Sequence, residues 1–453
     1  MNDRAWKILV VDPVGLRFDR NGTPDASEVK THIAAKGGWF HIGTAKSRPT
    51  YQPGLHFFYQ PDLSGEAEIL AQTTNGQYDA AIAAATNIPP QAQFAHGGVR
   101  IGAGTGNMKS TSWGGPNGAG GFAPLMNTPS FNSRATAHMV MKALLAVKPD
   151  LPVGILHRRV LAGTFDTGKN LKDFPTEKLE GKTIAILGYG NIGREVAKLG
   201  AAFGMSVRIY ARARHQRWIE SEGFRFCATP ESAAAGSDVL SVHTGLGPLD
   251  AKSGVYANAG LVGANILSKL NPSAVLINYD RGECVDTKAL DKALKSGRIA
   301  HAAIDADISR ERGKLGGPLL PYLPLAKKYG ARLSLLPHAA ADTDHSSRVA
   351  GAKQAVDQIF DCILHKRVSN LKGDLPSGYV NAGAVTCKGV GAVSSATFEA
   401  ASTSLPTLHN IATQIASLTA PGQILSEAQV EALLVATNTF TSTLRKLGLE
   451  GPI

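Results

Sequence analysis

The sequence predicts a doubly wound α/β fold, in which helices cover both faces of a parallel sheet, and two observations carry this prediction. First, short apolar segments with strand propensity alternate with amphipathic helical segments through the middle of the chain. Second, glycines with the spacing G-x-G-x-x-G lie between one such strand and the helix that follows it. Strands that alternate with helices are typical of parallel sheets, because a crossover helix must return the chain to the same edge.

The glycine segment follows a predicted strand, Thr183–Leu187, and leads into a predicted helix. This is the context of a dinucleotide fingerprint, since glycines let the backbone approach a pyrophosphate at the positive end of the helix dipole. The predicted apolar face of the helix consists of Val196, Leu199, Ala202 and Phe203. The predicted cofactor-binding residues of the turn are Gly188, Tyr189, Gly190, Asn191, Ile192 and Gly193.

The second strand of this region, Val207–Tyr210, predicts which cofactor is bound. It ends in Ala211, where binders of NAD usually carry an acid that accepts hydrogen bonds from the ribose 2′-hydroxyl. Arg212, Arg214 and Arg217 follow, and arginines can hold a 2′-phosphate through charge-assisted hydrogen bonds. A solvated basic loop is the alternative interpretation. The sequence therefore favours NADP(H), with NAD(H) possible.

Composition narrows the class of protein. A chain of 453 residues with 43% hydrophobic and 18% charged residues suits a soluble enzyme of two domains plus an appendage. No apolar run reaches the ~18–20 residues of a membrane span, and the N-terminus lacks a signal core, so we expect a cytoplasmic protein. Four dispersed cysteines argue against a metal site. The net charge of +11 suits anionic ligands, but no basic run predicts nucleic-acid binding.

The ends of the chain are organised differently from its middle. The N-terminal part begins with a predicted strand, Ile8–Asp12, and contains a glycine-dense region at 96–122. That region is either a flexible linker or a loop whose amides approach a ligand, and its strand-like start favours the loop. A predicted helix, Arg348–Leu364, could cross back to the N-terminal part. Two further predicted helices, in a tail rich in Ala, Ser and Thr, are Thr397–Leu418 and Ser426–Leu447.

Beyond the glycine turn, several polar residues lie at the ends of predicted strands, where open parallel sheets bind their ligands. Hydride transfer at a hydroxyl or keto carbon needs a cation for the substrate carboxylate and an acid/base for the hydroxyl proton. Arg281 suits the first role and His338 the second. The residues at the predicted strand ends are His243 and Thr244 in DVLSVHT, Arg281 after AVLINYD, Asp305 in AAIDAD, and His338 in RLSLLPH.

These motifs, in this order, resemble the D-isomer-specific 2-hydroxyacid dehydrogenases, a family that includes phosphoglycerate, glyoxylate/hydroxypyruvate and D-lactate enzymes. The resemblance implies a Rossmann-type cofactor domain at 133–345, inserted into a flavodoxin-like substrate domain formed by 1–132 and 346–375. Residues 376–453 would form a mainly helical extension, and family habit implies a homodimer. The matching segments are LEGKTIAILGYGNIG, SDVLSVHTGLG, LINYDRGECVDTKALDKAL, GRIAHAAIDAD and LLPHAAADT.

The resemblance also implies roles for individual residues. Arg281 matches the family's substrate-binding arginine, and His338 matches its acid/base histidine. Asp305 matches the aspartate near the nicotinamide carboxamide. Further substrate-binding residues implied by the resemblance are Gly104, Thr105 and Asn132.

The chain departs from the family pattern beside these residues. Family members usually carry a glutamate five residues after the matched aspartate, and it pairs with the histidine. Arg310 stands at that position here, and Glu311 follows one residue later. We predict that a one-residue loop adjustment makes Glu311 the third catalytic residue; otherwise the histidine lacks this partner. Tyr279 and Asp280 stand where small residues usually precede the arginine.

The leading functional hypothesis is an oxidoreductase that moves a hydride between NAD(P)(H), with NADP favoured, and a small 2-keto or D-2-hydroxy acid. Glyoxylate, hydroxypyruvate and 3-phosphoglycerate are the candidate acids. One alternative is a nucleotide-sensing, corepressor-like protein on the same fold, which the displaced glutamate and the long tail motivate. Another is a formate- or phosphite-type dehydrogenase. Turnover of a 2-keto acid separates the leading hypothesis from the sensor.

Overall fold

The computed structural model of the protein divides the chain into two compact units. The first contains Met1–Phe131 and Arg348–Ile453, and the second contains Asn132–Ser347. The residues that the structure describes are 4–47, 50–147, 152–248, 250, 252–311, 314–340, 343–384, 405–418 and 425–446.

Strands and helices alternate along most of the described chain. The strands are β1 (Ala5–Val11), β2 (Trp39–Ile42), β3 (Gly54–Gln60), β4 (Ala80–Ala83), β5 (Gly98–Arg100), β6 (Leu125–Asn127), β7 (Thr183–Leu187), β8 (Ser206–Tyr210), β9 (Arg225–Cys227), β10 (Val239–Val242), β11 (Ala274–Asn278), β12 (Ile299–Asp305), β13 (Ser309–Glu311), β14 (Lys314–Gly316), β15 (Leu333–Leu336), β16 (Arg367–Ser369), β17 (Leu371–Lys372) and β18 (Val380–Gly383). The helices are α1 (Ser27–Ala35), α2 (Glu66–Thr73), α3 (Pro129–Val147), α4 (Val153–Leu161), α5 (Thr167–Asn170), α6 (Asn191–Ala202), α7 (Gln216–Ser221), α8 (Pro230–Ala234), α9 (Ala264–Leu267), α10 (Thr287–Lys295), α11 (Leu323–Tyr329), α12 (His345–His365), α13 (Leu405–Leu418) and α14 (Glu427–Lys446).

The second unit is built on a seven-stranded parallel sheet with the order β9-β8-β7-β10-β11-β12-β15. The direction in which successive strands are added reverses between β7 and β10, which makes this the switch point of a doubly wound sheet. Every residue of β10 and β11 is buried, as expected for central strands covered on both faces. The predicted Rossmann-type fold is confirmed.

Helix α6 packs on this sheet through small residues. A Cβ added at Gly200 would lie 3.3 Å from Cγ2 of Ile184 in β7, so the helix and the strand approach closely. Leu199 is only half-buried, and Ala202 and Phe203 are exposed, so the apolar face predicted from the sequence is wrong at these positions. Apolar spacing alone could not show that glycines bring the helix close to the sheet. The small and apolar residues of α6 that are buried are Gly193, Val196, Ala197 and Gly200.

The first unit contains a second seven-stranded sheet, with the order β2-β3-β1-β4-β5-β6-β17. Its strands are parallel except β17, which runs antiparallel to β6. Without β2 at one edge and β17 at the other, the order is that of a flavodoxin-like sheet, as predicted. Helix α12 supplies core residues to this unit, and the ring of Phe360 lies 5.7 Å from the ring of Phe57 in β3.

The glycine-dense region of the first unit is a packed loop, so the linker interpretation is wrong. Trp113 is fully buried, its ring stacks on Phe94, and its indole N–H donates to the carbonyl of Met108 at 2.9 Å. Gly118, with φ +70°, lies so close to Lys372 that an added Cβ would be 2.0 Å from the carbonyl oxygen of Lys372. Core packing and contact with β17 therefore order this loop.

Residues of the tail form both helices and a strand. Helices α13 and α14 correspond to the two predicted helices, although residues 397–404 of the first lie outside the described residues. Strand β18, which pairs in parallel with β16, was not predicted. Among the described helices, none is long and apolar enough to cross a membrane. Within the same ranges, no group of three His, Cys, Asp or Glu side chains is arranged to hold a metal ion.

Candidate active site

The glycine turn joins β7 to α6 at the switch point of the second unit's sheet. Gly188 has φ +102°, and a Cβ there would lie 2.2 Å from the carbonyl oxygen of His243 and 3.0 Å from the amide nitrogen of Thr244. A Cβ at Gly193 would lie 2.1 Å from the carbonyl oxygen of Gly188, whereas a Cβ at Gly190 would meet nothing within 4 Å. The first and third glycines are therefore required by the fold, and the second leaves open space beside the backbone for a ligand.

The helix that follows the turn begins next to this open space, because Gly190 is its N-cap. Asn191 is exposed and Ile192 is half-buried in the first turn of α6. The amides at a helix N-terminus lack partners within the helix and carry partial positive charge, so they suit phosphate oxygens. The arrangement fits the pyrophosphate of a dinucleotide.

A buried ion pair supports the glycine turn from inside the protein. Arg194 of α6 donates its Nε–H to both carboxylate oxygens of Glu222 at 2.8 Å, and the Tyr189 hydroxyl donates to the same carboxylate. Burial alone would raise the pKa of Glu222, but the hydrogen bonds from Arg194 and Tyr189 hold it below its ordinary value. The Tyr189 ring also packs against Trp218, so its side chain points into the protein and only its backbone can face a cofactor.

The predicted arginine loop follows β8 and is exposed. Neither Arg212 nor Arg214 is paired with a carboxylate among the described residues. Burial, and then the charge of Arg214, lowers the pKa of Arg212. The pKa of the neighbouring His215 is lowered by burial and by both arginines. Positive charge that lacks a protein counter-ion favours an anionic group such as a 2′-phosphate.

The loop after β10 lies beside the glycine turn and is tied to β11. The ring of His243 is buried and its Nε2 lies 2.8 Å from the hydroxyl of Ser241. Burial lowers the pKa of His243 to about 3, so this ring is neutral near pH 7. Gly245 donates its backbone N–H to the carboxylate of Asp280, whose pKa burial raises. His243 and Thr244 therefore border the crevice at the switch point, and their contact with a cofactor stays a prediction.

Arg281 lies directly after β11 in a turn that its neighbours hold. Asn278 is buried and donates its side-chain N–H to the carbonyl of Arg281 at 2.8 Å. Gly282 is packed so tightly that an added Cβ would lie 2.9 Å from Cβ of Ala306. The guanidinium itself is partly exposed, and its Nη1 lies 3.6 Å from Oδ2 of Asp307. A fixed backbone thus carries a charged group that remains accessible to a ligand.

His338 follows β15 and contacts the same carboxylate. Its Nδ1 lies 2.7 Å from Oδ1 of Asp307. Its backbone has φ +56°, a left-handed conformation that is uncommon for residues other than glycine and is found at functional sites. The structure therefore brings Arg281 and His338 together through Asp307, a residue that the sequence analysis missed. The available signal was its place two residues after β12, the strand that lies between β11 and β15.

Asp305, at the end of β12, holds the backbone that follows His338. Its carboxylate is buried and accepts the backbone N–H groups of Ala339 at 2.7 Å and Ala340 at 3.1 Å. Burial, with the negative charge of Asp305 as the second cause, raises the pKa of Tyr279 to about 12. Asp305 therefore has a structural role in this turn, and its predicted contact with the nicotinamide stays a prediction.

Glu311, the predicted third catalytic residue, lies at the end of β13 in a two-stranded hairpin. Its backbone pairs with Lys314 of β14, outside the seven-stranded sheet. The structure describes the backbone of Glu311 and not its side chain. Its catalytic role stays a prediction.

The other predicted substrate-binding residues lie elsewhere in the chain. Gly104 and Thr105 belong to the first unit and follow β5. The hydroxyl of Thr105 donates to the carbonyl of Pro116 at 2.6 Å, so this side chain is used within its own loop. Asn132 is buried in the first turns of α3 and is the first residue of the second unit.

In the first unit, the carboxylate of Asp12 fixes the loop that follows β4 at the carboxyl edge of the sheet. Asp12, with φ +70°, accepts the backbone N–H groups of residues 84–86 at 2.8, 3.0 and 3.0 Å. It also accepts the Thr86 hydroxyl at 2.6 Å. Asn107 donates its side-chain N–H groups to two carbonyls of the same loop. This edge of the sheet is therefore held rigidly.

Comparison with known proteins decides the family. Residues 152–340 match the model described as "D-isomer specific 2-hydroxyacid dehydrogenase, NAD binding domain". The glyoxylate reductase of Thermococcus litoralis is 30% identical over 269 residues, which cover 57% of this chain and 70% of that enzyme. The chain belongs to the D-isomer-specific 2-hydroxyacid dehydrogenase family. The family resemblance inferred from the motifs is thus confirmed.

Two further matches cover different shares of the chain. The glyoxylate reductase of Aeropyrum pernix is 36% identical over 204 residues, 45% of this chain and 53% of that enzyme. The chain therefore spans about half the length of this relative. Among solved structures, the NADPH-dependent glyoxylate/hydroxypyruvate reductase of Sinorhizobium meliloti, in complex with citrate, gives a TM-score of 0.53 at 20% identity. The match covers 82% of this chain and 98% of that one, and it shows a shared fold.

Proposed function

We propose that the protein is an oxidoreductase that transfers a hydride between NADP(H) and a small 2-keto or D-2-hydroxy acid. The observation that carries the proposal is that Arg281 and His338 both contact the carboxylate of Asp307. The strands that these residues follow belong to the same sheet as β7, which the glycine turn follows. Family membership and the names of the relatives, which include glyoxylate reductases, support the same reaction class. Glyoxylate and hydroxypyruvate are the first candidate substrates.

The residues of the second unit fit a nicotinamide dinucleotide. The open space at Gly190 and the N-terminus of α6 suit the pyrophosphate. The exposed guanidinium groups of Arg212 and Arg214 suit a 2′-phosphate, which supports NADP(H) over NAD(H). When bound, the cofactor supplies the hydride in reduction and accepts it in oxidation.

Arg281 and His338 divide the remaining chemistry between them. The guanidinium of Arg281 binds the substrate carboxylate and polarises the keto group. Since Nδ1 of His338 is engaged by Asp307, its Nε2 is the nitrogen that donates a proton to the keto oxygen. The keto carbon gains the hydride and the oxygen gains the proton, which yields the 2-hydroxy acid. Gly104, Thr105 and Asn132 are proposed as further substrate-binding residues from the resemblance alone.

The first experiment is a parallel assay of NADPH and NADH oxidation with glyoxylate, hydroxypyruvate, pyruvate and 2-ketoglutarate near pH 7. We expect turnover of at least one acid and a loss of roughly 10²–10⁴-fold in His338→Gln, the range for general acid catalysis. Arg281→Ala should raise KM and lower kcat. Tight nucleotide binding without turnover of any acid would favour the nucleotide-sensing alternative.

Cofactor preference has its own test. The double variant Arg212→Ala, Arg214→Ala should raise KM for NADPH by roughly 10–100-fold, because hydrogen bonds between charged groups contribute about 1.5–3 kcal/mol. KM for NADH should change less than about threefold. Arg225→Ala, at an exposed arginine of β9, is the matched control. Equal effects on the two nucleotides would contradict the proposed 2′-phosphate site.

We also propose that two copies of the chain form a dimer through their second units, which are the proposed cofactor-binding units. Helix α4 of the second unit contains no buried residue, and its apolar side chains are exposed: Val160 by 62% and Leu161 by 75%. Apolar side chains on one short helix favour a protein partner, and the family habit favours a second copy. Sedimentation of the wild type and of Leu161→Glu should show a dimer that dissociates in the variant. A monomeric wild type would contradict the pairing.

A further inference from the structure

We infer that Asp307 is the carboxylate that positions His338 and Arg281, in the role that the family pattern led us to expect for Glu311. The inference rests on the proposed function, since it names the residue that orients the proposed acid/base. One carboxylate contacts both functional groups: Oδ1 lies 2.7 Å from Nδ1 of His338, and Oδ2 lies 3.6 Å from Nη1 of Arg281.

Sheet topology explains why Asp307 can reach both partners. Arg281 follows β11, His338 follows β15, and Asp307 follows β12, which pairs with both of these strands. Because the three strands are parallel, residues just beyond their carboxyl ends lie side by side at one edge. The residue beyond the middle strand is therefore flanked by the other two. Glu311 belongs instead to the separate β13–β14 hairpin.

The backbones of Asp307 and of the turn after His338 are both held by their surroundings. Its carbonyl accepts the backbone N–H of Leu319 at 3.0 Å. Gly317, with φ +105°, lies so close that an added Cβ would be 2.7 Å from the same carbonyl oxygen. In the His338 turn, the carboxylate of Asp305 accepts two backbone N–H groups, those of Ala339 and Ala340. Both members of the Asp307–His338 pair are thus placed by main-chain contacts.

The contact fixes which ring nitrogen of His338 is free. A carboxylate accepts from Nδ1–H, so Nε2 remains for exchange of a proton with the substrate. The second carboxylate oxygen partly compensates the charge of Arg281 until a substrate carboxylate binds. Removal of Asp307 should therefore lower kcat without raising KM for the acid. Because a loss of folded enzyme would also lower the apparent kcat at unchanged KM, kcat is calculated for the folded fraction measured by circular dichroism.

The test compares four variants in the full chain. Asp307→Ala should lose at least tenfold in kcat, on the order of 100-fold, with KM for the preferred keto acid unchanged or lower. Asp307→Glu should recover part of that loss, because it retains a carboxylate. Glu311→Gln should keep kcat within about twofold of the wild type if Asp307 holds this role. Asp291→Asn is the matched control, since it removes another partly exposed carboxylate, which lies 2.6 Å from Lys328.

A spectroscopic readout keeps the inference testable without turnover. In protein labelled with 15N-histidine, Nδ1–H of His338 should give a hydrogen-bonded proton resonance, assigned by its absence in His338→Gln. That resonance should be lost in Asp307→Ala and retained in Glu311→Gln. If Asp307→Ala proves unstable by thermal melting, Asp307→Leu serves for the same comparison, because leucine is similar in size to aspartate and offers no acceptor.

The outcomes separate this inference from the proposed function. A large kcat loss in Glu311→Gln together with a wild-type rate in Asp307→Ala would overturn the inference and leave the reductase intact. Absence of turnover in the wild type would overturn the proposed function. In that case, loss of the His338 resonance in Asp307→Ala would still support the contact, and its persistence would overturn it.

Discussion

The glycine turn makes a prediction that separates folding from cofactor binding. Gly193→Ala would bring a Cβ to 2.1 Å from the carbonyl oxygen of Gly188, where real Cβ contacts start near 3.0 Å. Both atoms involved belong to the framework of the turn, so helix α6 must move by about 0.9 Å or more away from β7. Overpacking of this kind costs about 1–3 kcal/mol, and we expect the free energy of unfolding to fall by that amount or more.

Gly190→Ala is the matched substitution with the opposite expectation. Nothing lies within 4 Å of the new Cβ, and the residue has φ −84°, which alanine adopts without strain. The free energy of unfolding should change by less than about 1 kcal/mol. Nucleotide affinity should fall at least tenfold, about 1.4 kcal/mol, because the new methyl group occupies the space left for the pyrophosphate.

The two variants are compared by urea unfolding, followed by circular dichroism, and by titration with NADPH and NADH. A Gly190→Ala protein that binds both nucleotides as tightly as the wild type would refute the assignment of this space to a cofactor. A Gly193→Ala protein of wild-type stability would refute the packing argument. Gly188 is unsuitable for this comparison, because its φ of +102° adds backbone strain to the close contact.

Three further predictions concern carboxylates and the buried ion pair. Burial raises the pKa of Asp280, so ionisation of its carboxyl group destabilises the folded state as pH rises above the ordinary value of 3.8. Asp280→Asn should therefore be more stable than the wild type at pH 7, by about 1.4 kcal/mol for each tenfold rise in proton affinity. In unfolding titrations this advantage should disappear near pH 3.5. Arg194→Ala should cost about 3 kcal/mol of unfolding free energy, since it leaves Glu222 buried without its cation, and the companion Arg194→Ala, Glu222→Ala should recover part of the loss. Asp12→Ala should cost about 3 kcal/mol, because three backbone N–H groups and one hydroxyl lose a charged acceptor, and a change below 1 kcal/mol would contradict this assignment.

The fold was predictable because its main signals are local. Strand β7 has the bounds predicted from its apolar run, β10 and β11 lie within the predicted segments, and β12 begins three residues before its predicted segment. The glycine spacing identified the switch point because the first and third glycines are required sterically by the turn and the second leaves space for a ligand. The buried face of α6 was harder to predict from the sequence, because close packing there depends on the absence of side chains at Gly193 and Gly200.

The candidate site was predictable in its separate residues and not in the contacts among them. Arg281 and His338 were found because each follows an apolar strand. Asp307 was missed because its role depends on β12 lying between β11 and β15, and strand order is a property of the sheet that no local segment encodes. The cluster of Tyr189, Arg194 and Glu222 was missed for the same reason, since its members are up to 33 positions apart.

The discontinuous first unit has a consequence for synthesis of the chain. The second unit is one continuous segment, so every strand of its sheet is available once the chain has been made to about residue 340. The sheet of the first unit, by contrast, pairs β6 with β17, and its core places Phe57 against Phe360. Contacts separated by some 250–300 positions form late and slowly, so the N-terminal segment must remain without its last helix and strand while the middle folds. The N-terminal part of the first unit therefore leaves the ribosome before the second unit and is completed after it, and its apolar strands stay partly uncovered during that interval.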